Sequence, residues 1–360
     1  MTRRLPALLL ALCLLVGLCP AALADGAPLA AADLQGSSWY GEYAGETGGA
    51  PVTRFIDLTV LSCDGSGALS GVARVTTLSG QGHDEEWFEY DFTGTVDFAS
   101  GAFHMQGTYL TGHYTGINWN MVPFDGTLER NAAGEPVIRG WVDNDRERDF
   151  SVRRTSTWAK DEMTEANLRR LVPDALLDSD MSRPATRAEF AAVAVRLYEV
   201  VTGQTAPSTD LPFADARKHP LRADIEKAYA LGVTLGTSQT TFDPDAMITR
   251  EQMATMLCRV VKGRAFPDWT PQTDGDFPLE TAAAEPYADD DRISDFAREA
   301  VYYMTGLGVM QGVGEGRFAP RSVTDQERAA LYATATREQA VVTALRLYQC
   351  RAQWETQPEA

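Results

Sequence analysis

The chain has 360 residues, 44% of them hydrophobic, and sets 32 Lys and Arg against 50 Asp and Glu for a formal net charge of −18. That acidity argues against nucleic acid as a partner, because a polyanion is held by clustered cations. It also opposes bulk attraction to any anionic polymer, so such a ligand would have to be held at local sites.

Arg3 and Arg4 precede an apolar run from Leu5 to about Ala22, and Ala22-Leu23-Ala24 is a small-residue cleavage site before Asp25. Residues 1–24 are expected to be a signal peptide, making the product secreted. A lipoprotein anchor at Cys19 is disfavoured by the bulky Leu18 before it, and the paired arginines lack the rest of a twin-arginine signal. Losing Arg3 and Arg4 takes the net charge to −20 and leaves Cys63, Cys258 and Cys350, too few and too scattered for a disulfide framework. No second apolar stretch is long enough to cross a bilayer, so an integral membrane protein is not expected.

Residues 25–155 form a β-domain in this scheme. Short alternating runs are separated by turn signals such as Asp64-Gly65, Ser100-Gly101, Asp125-Gly126 and Ala133-Gly134. They predict eight antiparallel strands over 37–44, 54–62, 68–77, 86–98, 102–109, 118–130, 137–143 and 150–154, arranged as a barrel or a sandwich. The opening Trp39-x-Gly41-x-Tyr43 and the meander resemble lipocalin and avidin-type barrels, which close every edge and can hold one ligand. His83, His104 and His113 have no metal-ligand spacing, and no nucleophile elbow or phosphate loop is present. The acidic groups Asp84-Glu85-Glu86 and Asp143 to Asp149 read as solvated turns. The expectation is therefore no enzyme, no catalytic residue, no metal and no cofactor. An unknown ligand of the β-domain stays open, because Trp39, Trp87, Trp119 and Trp141 divide between barrel core and outward platforms.

The C-terminal half writes one phrase three times: Thr186-Arg187-Ala188-Glu189, Thr249-Arg250-Glu251-Gln252 and Thr336-Arg337-Glu338-Gln339. Thr followed three residues later by Glu or Gln is a capping box, so each copy opens a helix. Capping does not ask for Arg at the first helical position, where a cation opposes the helix dipole. The flanks repeat too. Phe213-Ala214-Asp215, Gly232, Gly236 and Phe242-Asp243-Pro244 align with Tyr287-Ala288-Asp289, Gly308, Gly312 and Phe318-Ala319-Pro320. The first copy is degenerate, with Arg170 where the others have Gly232 and Gly308.

This pattern resembles the S-layer homology (SLH) repeats: an aromatic-x-Asp start, a helix ending in Gly-Ile/Val-x-x-Gly, a Phe-x-Pro loop, and a second helix opened by Ile-Thr-Arg-Ala-Glu. The resemblance covers roughly residues 157–350 and implies an all-helical, pseudo-threefold module. Its repeats are taken as 156–204, 205–263 and 287–350, with a linker at 264–286 and a tail at 351–360. It implies a secreted protein of the cell wall and cell surface. The module would hold a secondary cell-wall polysaccharide, often pyruvylated, in grooves between repeats and display the β-domain; the alternative is a wall-anchored enzyme or small-ligand carrier.

Contacts to the polymer are expected from Arg187, Glu189, Arg250, Glu251, Arg337, Glu338, Trp158, Phe296, Gly236 and Gly312. A guanidinium fork matches a carboxylate, and the free N–H groups of a helix start favour an anion. The copies differ, however. The aromatic present as Trp158 and Phe296 is Pro220 in the second repeat, and Pro320 to Thr336 is longer than its counterpart by eleven residues, placed near the third groove as a longer loop or an added helical turn. The acid Glu189 is replaced by Gln252 and Gln339 in the other two copies.

Overall fold

A computed structural model describes residues 28–47, 50–78, 85–113, 121–281 and 285–355. The expected signal peptide, His83, Asp84 and Trp119 lie outside the described residues.

A short helix, α1 (Ala31–Leu34), precedes eight strands: β1 (Ser38–Thr47), β2 (Ala50–Cys63), β3 (Ala68–Leu78), β4 (Glu85–Val96), β5 (Ala102–His113), β6 (Phe124–Arg130), β7 (Pro136–Val142) and β8 (Asp145–Thr155). Each pairs with the next, and β8 returns to β1 with Ser38 opposite Thr155 and Tyr43 opposite Phe150, so the sheet is a closed up-and-down barrel. Alternation sends Trp39, Tyr43, Ile56, Phe88, Tyr90, Phe92, Phe124 and Phe150 inward, where they are buried. The barrel is packed by its own aromatics. Trp87 and Trp141 instead lie on the outer face, each under an arginine: Arg74 and Arg146 stand 4.5 Å from the respective ring centroids.

The second half is helical: α2 (Lys160–Leu168), α3 (Arg187–Thr202), α4 (Arg222–Ala230), α5 (Arg250–Ala265), α6 (Arg298–Gly306), α7 (Asp325–Ala329) and α8 (Arg337–Gln349). Helices α3, α5 and α8 start at the three repeated phrases, and all three capping boxes are formed by Thr186, Thr249 and Thr336. The backbone explains the degenerate first copy. Gly232 and Gly308 end their helices at φ of 69° and 72°, and Arg170 adopts 58° at the same place, accepting the left-handed conformation without the glycine. The longer third loop contains α7, capped by its own Thr324 and Glu327. The linker after α5 packs against the repeats: Trp269 and Leu279 are buried in it, and the Trp269 indole donates to Asp274 Oδ1 at 2.8 Å.

Barrel and helices share a polar seam. On the outer barrel face Arg153, Tyr40, Asp57 and Arg74 are successive cross-strand partners. Helix α2 lies along this row, with Thr164 Oγ1 3.3 Å from Asp57 Oδ2 and Lys160 Nζ 3.4 Å from Thr59. Asp57 is 4% exposed and its Oδ1 has no hydrogen-bond partner among the described residues. Burial pushes its carboxyl up to about 6, against the opposing pull of Lys160, Thr164 and Arg74. A raised folded-state pKa means that this group favours folding most when protonated, and that the benefit is lost as pH rises from about 4 through about 6. Asp57→Asn should therefore raise the unfolding free energy by about 2 kcal/mol at pH 7.5 and change it little at pH 4.5. Urea titrations at the two pH values check this, and equal effects would refute it.

Candidate functional site: the inter-repeat grooves

The three helix starts dock on one another in a ring. The N–H groups of Arg187 and Ala188 donate to the carbonyls of Ala246 and Pro244, those of Arg250 and Glu251 to Ala333 and Pro320, and those of Arg337 and Glu338 to Arg183 and Met181, at 2.9–3.1 Å. Thr186, Thr249 and Thr336 each add an isolated β-bridge to the neighbouring repeat, through Met247, Thr334 and Pro184. Each repeat thus presents its loop to the preceding helix start, and the third closes on the first. The expectation that these starts offer free N–H groups to an anion is corrected by this ring: the first two are taken by loop carbonyls, and the third by the capping Thr.

The Phe-x-Pro loops are held by the aromatic-x-Asp motif. Asp215 accepts from the N–H groups of Phe242 and Asp243, and Asp289 from those of Phe318 and Ala319, at 2.8–3.1 Å. The middle residues Asp243 and Ala319 both have φ of 57°, which aims the two donors at one carboxylate. Phe213 packs on Phe242 and Tyr287 on Phe318. Gly236 belongs to this support: a Cβ there would lie 2.4 Å from Phe213, and one at Gly312 would lie 2.8 Å from the Arg317 carbonyl.

The arginines sit on these loops. In the first groove Arg187 donates from Nε to the Phe242 carbonyl at 2.9 Å, and its guanidinium carbon lies 4.9 Å from the Phe242 ring centroid. In the second, Arg250 makes the same bond to the Phe318 carbonyl at 2.9 Å, stands 4.8 Å from that ring, and donates from Nη2 to Gln311 O. Neither makes an ion pair with a carboxylate among the described residues. Burial lowers the pKa of both guanidiniums, the sign of a cation held in a poorly solvated place.

The third groove is different. Arg337 donates from Nε and Nη2 to Glu189 Oε1 at 2.9 and 2.6 Å, and from Nη1 to Glu135 Oε1 at 2.6 Å and to the Asp180 carbonyl at 3.0 Å. Burial opposes its charge, yet the carboxylates of Glu189 and Glu135 raise its pKa overall. Glu135 comes from the barrel, at the turn into β7, and is 3% exposed. It was not singled out from the sequence, where nothing marks it.

The remaining acids are also engaged. Glu251 accepts from the Ser294 N–H and hydroxyl at 2.9 and 3.0 Å, and Glu338 from the Ser156 N–H and Thr155 hydroxyl at 2.9 and 3.1 Å. Each thereby caps the turn that carries an exposed aromatic: Phe296, 59% exposed, beside the second groove, and Trp158, 51% exposed, beside the third. The first groove has Ala188 and Pro220 at these positions. Helix α7 and its approach border the second groove and not the third, since Glu327 pairs with Arg292 at 2.7 Å and Arg321 Nε lies 3.8 Å from Glu251. Among the described residues, only the second groove combines an arginine without a carboxylate partner and an exposed aromatic.

The S-layer homology domain family matches residues 212–254 and 286–327. The C-terminal half thus carries S-layer homology domains at these two regions. An endoglucanase of Bacillus sp. (strain KSM-635) is 33% identical over 145 residues, 40% of this chain and 14% of that protein. Exoglucanase XynX of Acetivibrio thermocellus is 28% identical over 176 residues, 48% of this chain and 15% of its own length. An amylopullulanase of Thermoanaerobacterium thermosulfurigenes is 30% identical over 178 residues, 48% of this chain and 9% of its own. The chain thus spans between 9% and 15% of these relatives. The glycosidase names of these relatives overturn the expectation that the protein is not an enzyme. No helix of the described residues is long and apolar enough to cross a membrane, and no cluster of metal-ligating side chains occurs among them.

Removing Glu135 tests the barrel contact. Glu135→Ala leaves Arg337 buried with one carboxylate fewer, and the unfolding free energy should fall by about 2–4 kcal/mol. Guanidinium denaturation measures this, and a loss below about 0.5 kcal/mol would mean that the pair contributes no more than a surface ion pair.

Proposed function

We propose that the SLH module anchors the chain to the cell wall by taking carboxylate groups of an anionic, pyruvylated secondary wall polysaccharide in its first two grooves. The observation that carries this is the pair Arg187 and Arg250, each stacked on a phenylalanine, poorly solvated and without a carboxylate partner among the described residues. A ligand carboxylate would supply the missing counter-charge, and a charge-assisted bond in such a place contributes about 1.5–3 kcal/mol. Phe296 adds a stacking face for a sugar ring in the second groove, so that groove should dominate. The third is self-satisfied by Glu189 and Glu135 and works as a clasp on the barrel.

Co-sedimentation with purified wall sacculi checks the ranking. Arg250→Ala should weaken binding by roughly 10- to 100-fold and Arg187→Ala by less, while Arg337→Ala lowers stability and leaves wall affinity within about twofold. A folded Arg187→Ala/Arg250→Ala double variant that sediments like the parent would sink the proposal. Depyruvylated walls should bind as weakly as that variant.

The relatives' names favour a second element, a wall-anchored glycosidase, whose chemistry would lie outside the SLH regions, on the barrel. Its interior is filled, so such chemistry belongs on its outer face. Release of reducing sugar from soluble glucan or pullulan is the expected outcome.

A further inference from the structure

On the outer barrel face one row runs across five strands. Thr95, His104, Asp125, Trp141 and Asp149 are successive cross-strand partners on β4 to β8. Their sequence neighbours Val96, Phe103, Met105, Phe124, Val142 and Phe150 are buried in the barrel, so the row faces out. His104, Asp125 and Trp141 also line a cleft of about 680 Å³, which the turns holding Ser66 and Asp97 bound at one end.

The groups in this row are fixed in place. His104 Nδ1 lies 2.7 Å from Asp125 Oδ1 and, against a carboxylate oxygen that can only accept, is the donor of this bond. The other Asp125 oxygen has no partner among the described residues. Arg146 stacks 4.5 Å from the Trp141 centroid and holds the ring's orientation. Adjacent strands lie about 4.8 Å apart, so His104 to Trp141 spans about 10 Å, close to two sugar rings in a chain.

We infer that this cleft binds a neutral glycan, with Trp141, one face of which Arg146 covers, packing against one sugar ring by the side that lines the cleft, and with Asp125, held by His104, accepting hydrogen bonds from the hydroxyls of the next. An aromatic face beside oriented acceptors suits a ring with apolar C–H faces and hydroxyl edges. The charge of the cleft selects against the anionic wall polymer. Hydrogen bonds from Ser100 and Ala99 hold Asp97 below the usual carboxylate range, so it stays charged beside Asp125. The barrel and the SLH module would then take different carbohydrates, one neutral and one acidic. The inference does not rest on the anchoring proposal.

The test uses the full chain carrying Arg187→Ala and Arg250→Ala, so that the grooves do not contribute, titrated with cellohexaose, xylohexaose and maltohexaose by calorimetry and tryptophan fluorescence. At least one should bind saturably with Kd at or below about 1 mM. Trp141→Ala and Asp125→Asn should each weaken it by roughly tenfold or more, and Trp141→Phe should recover most of the loss. Thermal unfolding of each variant separates misfolding from lost contact, and Asp125→Asn decides the matter if Trp141→Ala is unstable. Three results would overturn the inference: no saturable binding of any of the three, binding unchanged in both folded variants, or binding confined to acidic wall fragments. Sacculus sedimentation of the same proteins reads the grooves separately.

Discussion

The ring of hydrogen bonds between each helix start and the next repeat's loop is the constraint on which the module depends. It resolves a conflict built into any buried helix N-terminus, whose first N–H groups must find partners outside the helix. Here the partners are the loop carbonyls at Ala246, Pro244, Ala333, Pro320, Arg183 and Met181. Because each loop serves its neighbour, no repeat is satisfied alone. The first copy has lost its glycine and its Phe-x-Pro loop, yet it stays in the ring through the backbone atoms of Met181 and Arg183.

That ring also accounts for an arginine at a position where the helix dipole disfavours one. With the N–H groups consumed, the guanidinium of Arg187 or Arg250 lies over the loop, its Nε fixed by a loop carbonyl while the ring below supports its plane. The motif's other parts hold the loop: Asp215 and Asp289 gather its N–H groups, and Gly236 and Gly312 let the backbone approach. Residues that resemble contacts for a polymer in the sequence are in large part the frame that positions two arginines.

The third arginine shows how the same frame serves a different end. Its fork is filled by two carboxylates, and one of them ties the barrel to the helices. Together with Glu338, which caps the turn leaving β8, and α2, which covers Asp57, this contact makes the barrel part of the module's surface. The row that carries the Trp141 cleft runs over β4 to β8 apart from the Arg153, Tyr40, Asp57 and Arg74 row.

Much of this was legible in the chain. Eight alternating runs predicted eight strands, and three capping boxes predicted three helix starts, because both depend on local spacing that the backbone must obey. The choice between barrel and sandwich was not, since it rests on the pairing of β1 with β8 across more than a hundred residues. The unequal grooves were half visible: Pro220 and the Glu189, Gln252, Gln339 series are plain in the sequence, but which arginine each of these faces is set by the threefold ring. Glu189 meets Arg337, 148 positions away, and Glu135 meets it from 202 away. The sequence by itself determined where the arginines stand on their helices; only the tertiary structure decided which of them has a carboxylate partner, because a carboxylate neutralises a cation by proximity in space and leaves no periodic trace along the chain.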